Sequence, residues 1–163
     1  MSTATGIEYD ACVVDIDLVD ATAKDRSVLE RLGQLYAYDF SEILGVDVGE
    51  DARFRSISLG NWRDESRRRF IVRVGGHLAG FALVRKGSVL TSEPDVTDMD
   101  EFFVMRKYRR YGVGAEVAKR LFDMFQGRWE VRELAPNVAA QAFWRSVIGD
   151  YTGGRYEERV IED

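Results

Sequence analysis

The 163-residue chain holds one cysteine, one histidine and two prolines. A lone Cys12 cannot close an internal disulfide, and this fits a reducing compartment. It sits in the apolar run Ala11-Cys12-Val13-Val14, where a buried small hydrophobe is the simplest role. One histidine and one cysteine do not make up a transition-metal ligand set, so no metal site is predicted. His77, one residue past a glycine turn, reads as structural or exposed. The chain has no run near the ~20 apolar residues needed to cross a bilayer. Residues 1–6 show no basic segment leading into an apolar one, as a secretory signal would. These absences together predict a cytoplasmic protein. An excess of positive charge is missing too: 23 Lys and Arg against 28 Asp and Glu give a net charge of −5, which argues against general nucleic-acid binding.

Apolar residues make up 45% and charged residues 31%, the balance of a globular chain, and the length suits one domain over 1–163. A first strand is predicted over 9–16. Thr22-Ala23-Lys24-Asp25 has the form of a capping box ahead of a helix over 23–44, with a break near Gly33 and a short second helix near 51–57. Phe70 to Val74, the Gly75-Gly76 turn and His77 to Val84 read as a hairpin. Further strands are expected over 98–105 and 128–134, with helices over 112–126 and 137–148 and a last strand over 155–161. The helix after Gly112 is well patterned, with Val113, Val117, Leu121 and Phe125 on one stripe.

The most informative segment joins the strand at 98–105 to that helix. Tyr108-Arg109-Arg110-Tyr111-Gly112-Val113-Gly114-Ala115 places two glycines at a helix start, where unpartnered N–H groups and the helix dipole suit a phosphate. Arg109 and Arg110 add planar cationic donors beside that turn. A Walker A loop is excluded, because Ala115 and Glu116 follow Gly114 in place of Lys-Ser/Thr. A dinucleotide fingerprint is excluded by Val117, where a third small residue is needed. The remaining pattern is Arg109-x-x-Gly112-x-Gly114 with Val104 and Tyr108 ahead of it. In register from Val104 to Ala115, it resembles the acetyl-CoA motif of the GNAT superfamily of N-acetyltransferases. The run Asp100-Glu101-Phe102-Phe103-Val104-Met105 is similar to the matching strand of diamine acetyltransferases.

The resemblance implies an α/β (α+β) fold, with a mixed, mostly antiparallel sheet of six to seven strands and helices on both faces. It implies transfer of the acetyl group of acetyl-CoA to a primary amine by direct attack in a ternary complex. Arg109, Arg110, Tyr111, Gly112, Val113, Gly114 and Ala115 would cradle the pyrophosphate, and Phe103, Val104 and Met105 would meet the pantetheine arm through main-chain atoms. Asp100 and Glu101 are the acids beside that strand, and Glu101, with the longer reach, is preferred as base. The family motif Asn-x-x-Ala-x-x-Phe/Leu-Tyr is matched by Asn137, Ala140 and Phe143. Asn137 and Phe143 are therefore assigned to the cofactor, with a plain helix cap as the other role for Asn137. Trp144 stands where the motif has the tyrosine that commonly protonates the departing thiolate; an indole is no practical acid. Tyr36, Asp39 and Glu42, in an aromatic and acidic region, are candidates for binding a small cationic amine, with Trp144 beside them. A catalytically silent acyl-CoA-binding protein on the same fold is the alternative that Trp144 keeps open. Acetylation of a protein N-terminus or lysine stays open as well, as does a homodimer.

Overall fold

The computed structural model describes residues 14–55, 59 and 62–161. In chain order the elements are β1 (Ile16–Asp20), α1 (Arg26–Leu44), β2 (Arg67–Val74), β3 (His77–Lys86), β4 (Val96–Val104), α2 (Val113–Met124), β5 (Arg128–Val131) and α3 (Val138–Thr152). The strands lie in the order β1-β2-β3-β4-β5; the first four are antiparallel, and β5 joins β4 in parallel. Gly75 and Gly76 both take positive φ (55° and 78°), as the tight turn between β2 and β3 requires. At the chain's first helical turn the capping box is present: the Thr22 hydroxyl accepts from Lys24 N–H, and Asp25 accepts from Thr22 N–H at 2.8 Å.

Helices cover both faces of the sheet, and the core is correspondingly split in two. Leu29 and Leu32 of α1 pack with Ile71, Phe81, Leu83 and Phe103 on one face. Val113, Val117 and Leu121 of α2, with Trp144 and Val147 of α3, pack with Phe70, Val72, Ala82 and Met99 on the other. This sandwiching is why Phe70-Ile71-Val72 is an unbroken apolar run and not an alternating one.

Several expectations are corrected. The sheet has five strands among the described residues, not six to seven. Residues 155–161 form no strand: Gly153 and Gly154, both at positive φ, turn the chain out of α3, and Arg145 of α3 ties Glu158 at 3.0 Å. The segment is exposed throughout and carries charges at Arg155, Glu157, Glu158 and Arg159, so it has no apolar face to bury on a sheet. β5 is four residues long and stops where Arg132 leaves the sheet to pair with Asp98. Helix α1 continues unbroken through Gly33, over which Leu59 packs. Residues 51–55 are not helical, because the Gln34 amide holds Phe54 by both its N–H (2.8 Å) and its carbonyl (3.1 Å), which keeps that backbone out of a helix; 56–58 lie outside the described residues. The first strand begins at Ile16, and residues 9–13 of its predicted span likewise lie outside.

One glycine is set by close approach. A Cβ at Gly80 of β3 would lie 2.0 Å from the carbonyl oxygen of Phe103 in β4, a main-chain atom that cannot yield without moving the strand. Gly80→Ala is expected to cost on the order of 3 kcal/mol. For a domain of this size that lowers Tm by roughly 6–12 °C. A thermal melt checks it, and an unchanged Tm would mean that β3 and β4 stand further apart.

Candidate active site

The strands β4 and β5 part company early. Their register runs from Val96↔Arg128 to Met99↔Val131, while β4 continues to Val104. Past Met99, therefore, the β5-facing edge of β4 has no strand beside it among the described residues, and the sheet opens into a gap. Main-chain groups along such an edge are available to a ligand.

The register between β3 and β4 slips between Leu83 and Val84, where Leu83 pairs with Glu101 and Val84 with Met99, leaving Asp100 as the extra residue of a bulge. The bulge decides which carboxylate goes where. Glu101 shares Leu83's side of the sheet, the side covered by α1, where it interacts with the Tyr36 hydroxyl of α1. Burial pushes the Glu101 carboxyl above the usual range; the Tyr36 bond and the charges of Arg132 and Arg67 act the other way, and Asp100 adds to the rise. Tyr36 is in turn driven strongly upward, by its burial first and Glu101 second, so its hydroxyl stays protonated and donates. Asp100 is occupied differently. Its carboxylate lies 3.1 Å from Arg67 Nε and 3.7 Å from Arg132, with only 12% of the side chain exposed. Arg132 also forms two bonds to the fully buried Asp98, at 2.8 and 3.2 Å. Asp100 thus belongs to a set of charge pairs that tie β2, β4 and the end of β5.

On the opposite wall of the gap stands a residue that the sequence reading missed. Glu133, two positions beyond β5, accepts from the indole N–H of Trp144 at 2.8 Å and from the Asn137 side-chain amide at 3.2 Å. Burial and the nearby charge of Glu101 push its carboxyl up, while the two bonds pull it down; the net direction is upward, moderated by solvent on its open side. Asn137 also caps α3, taking the Ala140 N–H on its Oδ1. Trp144 is 5% exposed and meets Phe102 and Phe143 edge-on at 5.0 and 4.9 Å. The available signal for Glu133 was its place four residues ahead of the helix-capping asparagine. Only the fold shows that the indole reaches it.

The glycine turn lies at the same end of the sheet. Gly112 takes φ 78° as the cap of α2, and Arg110 takes φ 67°, so the chain turns sharply into the helix with the first-turn N–H groups pointing out of its end. Val113 is buried and points to the core, and Ala115 is half-buried. Gly114 lies against Phe143, whose ring atoms would be 3.1 Å from an added Cβ. Phe143 therefore fixes the seating of α2 on α3. Arg110 and Tyr111 are exposed beside the turn. Arg109 is not free: its Nε donates to the Val104 carbonyl at 2.6 Å and its terminal nitrogen pairs with Asp39 of α1. Asp39 takes Arg106 as well, at 2.9 Å. These bonds fasten the turn to α1. The Val104 carbonyl is thus taken by Arg109 and the Met105 N–H by Ala79, while the Phe103 carbonyl faces Gly80 of β3 and its side chain is buried beneath Tyr36. Glu42 lies outside the gap, on a groove of about 500 Å³ with Tyr38, Asp47 and Arg106.

No group of three or more His, Cys, Asp or Glu side chains suited to a metal occurs among the described residues. Nor is any described helix long and apolar enough to cross a membrane.

Comparison with known proteins agrees with this architecture. The chain resembles in fold an aminoglycoside acetyltransferase from an uncultured soil metagenomic sample, solved with sisomicin (14% identity, 91% of this chain and 93% of that one, TM-score 0.58). It is similar to an acetyltransferase of Thermus thermophilus (19% identity, 82% and 86%, TM-score 0.62). It is also similar to a ribosomal-protein-alanine N-acetyltransferase of Brucella melitensis biovar Abortus (14% identity, 91% and 99%, TM-score 0.56). Curated protein sequences return no significant match. Residues 29–149 match the acetyltransferase (GNAT) family, a span that takes in most of α1, the bulged strand, the glycine turn and most of α3, and the chain belongs to that family of acetyl-CoA-dependent enzymes.

Proposed function

We infer that the protein transfers the acetyl group of acetyl-CoA to the primary amine of a small cationic molecule, with Glu101 as the base. The carrying observation is the bulge at Asp100, which sends Glu101 toward α1, where Tyr36 holds it, and leaves Asp100 in ion pairs.

The residues present fit acetyl-CoA. The start of α2 at Gly112 offers N–H groups and a positive dipole end to the pyrophosphate, with Arg110 and Tyr111 beside it. The open edge of β4 past Met99 suits an extended amide arm. When bound, acetyl-CoA supplies an activated acyl carbon. The protein's own part is to hold the amine near Glu101, to take its ammonium proton on that carboxylate and to keep the gap partly dry. A carboxyl already pushed up by burial is a stronger base than an ordinary surface glutamate. Asp100 is held between Arg67 and Arg132 and is not available to the amine. Asp39 serves the turn through Arg106 and Arg109, so recognition of the amine falls to Tyr36, Glu101 and the acids around the gap. The gap is open at the end of the sheet, and Glu133 adds a second carboxylate to it.

The test is release of free CoA from acetyl-CoA across a panel of mono- and polyamines, with a tripeptide bearing a free N-terminal alanine in parallel. Turnover on cationic small amines is the expected outcome. Turnover on the peptide alone would replace the acceptor class, and tight CoA binding without turnover on any acceptor would leave a silent acyl-CoA-binding protein.

A further inference from the structure

Two carboxyl groups meet at the gap, and they stand on different walls. Glu101 comes from the α1 side through the bulge. Glu133 comes from the α3 side, held by the Trp144 indole and the Asn137 amide. The α3 wall is the one that Phe143 ties to Gly114 at the glycine turn, so Glu133 is on the side of the coenzyme and Glu101 on the side of the acceptor. Transfer of an acetyl group from sulfur to nitrogen has two proton demands, one at each of those sides. From this placement we propose that Glu133 is a catalytic residue, the proton donor to the departing thiolate, with Trp144 and Asn137 as its positioning residues.

The step balances as follows. The ammonium proton passes to the Glu101 carboxylate, and the amine nitrogen forms a bond to the acyl carbon. The C–S bond breaks, and the sulfur takes the proton of the Glu133 carboxyl, giving free CoA. The acylated nitrogen loses its second proton to solvent and the proton on Glu101 returns to Glu133 through solvent. Of the two protons leaving nitrogen, one is thus matched by the thiol and one is released to water, and no other reactant is consumed. Two carboxyls within each other's field cannot both ionise with ease, so the second holds its proton to higher pH. The groups facing the pair are Tyr36 from α1, Asp100 from β4, Arg67 from β2, Arg132 after β5, and Trp144 and Asn137 from α3. The two arginines favour the ionised form of Glu101, and at Glu133 the lowering contacts are the Trp144 indole and the Asn137 amide.

The proposal rests on the acetyl-transfer reading, and the two fail differently. The first measurement needs no coenzyme: the indole N–H resonance of Trp144, assigned by its loss in Trp144→Phe, is followed by NMR between about pH 4 and 9. It should move through one titration in the wild type and stay still in Glu133→Gln, which keeps an acceptor for the indole. Because Glu133 is exposed, the substitution leaves the core intact. The second measurement is kinetic. Glu133→Gln should lower kcat on the order of 10²–10⁴-fold, lose the fall of kcat that accompanies ionisation of Glu133 as pH rises, and keep CoA affinity by calorimetry. An indole indifferent to pH, or a Gln variant with wild-type kcat throughout, overturns the assignment to Glu133. A wild type that acetylates no acceptor overturns the acetyl-transfer reading, and this inference with it.

Discussion

Glu101→Gln is expected to reduce kcat on the order of 10²–10⁴-fold, the usual worth of a positioned base. The amide keeps the size of the side chain and an acceptor for the Tyr36 hydroxyl, so neither the fold nor the α1–β4 contact should suffer. CoA affinity should hardly change, because the glycine turn is built from other residues. The pH dependence has a definite sign. Burial raises the folded ionisation of Glu101, so the carboxylate that accepts the proton is depleted as pH falls through that raised value. In the wild type kcat/KM should therefore drop on the acid side, at a pH above that of an ordinary glutamate, and the Gln variant should lack that limb. Asp100→Asn is the contrast. It breaks the ion pair with Arg67 and leaves a half-buried guanidinium with only the more distant Asp64, at 3.8 Å, so it should cost stability, on the order of 3 kcal/mol, with a smaller effect on rate than Glu101→Gln. If Asp100→Asn lost the rate and Glu101→Gln did not, the bulge would have been assigned to the wrong register.

The second large effect is on the coenzyme. Gly112→Asp should weaken CoA binding at least ~100-fold, equivalent to about 2.7 kcal/mol. Nothing lies within 4 Å of a Cβ added at Gly112, so the substitution does not disturb packing and its folding cost is limited to a positive φ of 78°. Aspartate tolerates that conformation better than most residues. The carboxylate would stand at the helix N-terminus, where the pyrophosphate is to bind, and would compete for the same N–H groups. Gly112→Asn separates the two contributions, having the same bulk without the charge. It should lose less affinity, and calorimetry on both variants at two salt concentrations would display the electrostatic share. Wild-type affinity in Gly112→Asp would mean that the phosphates bind elsewhere.

Much of the fold could be read from local patterns. The hairpin at Gly75-Gly76, the capping box at Thr22, the stripe of α2 and the cap at Asn137 each rest on residues close in sequence, and each was found in its expected place. The misreadings share a cause. The strand expected over 155–161 would need a partner strand, and here Arg145 offers Glu158 a different contact. Residues 51–55 carry a helical pattern, but Gln34, some 20 residues earlier, takes the backbone of Phe54. A competing contact from far along the chain outweighed a weak local preference in both.

The sequence by itself determined the family motif from Val104 to Ala115 and the glycines at a helix start. It also placed two neighbouring acids, Asp100 and Glu101, beside the motif, because spacing along one strand and one helix is a local property. Only the tertiary structure shows where each of those two acids goes. A one-residue bulge against β3 turns Glu101 toward Tyr36 and puts Asp100 between two arginines, and side-chain parity on a strand cannot be known before its register is. The tertiary structure alone also gave Asp39 to Arg106 and Arg109, and Glu133 to Trp144. Such partners come from separate elements, so their contacts follow from tertiary packing and not from proximity along the chain.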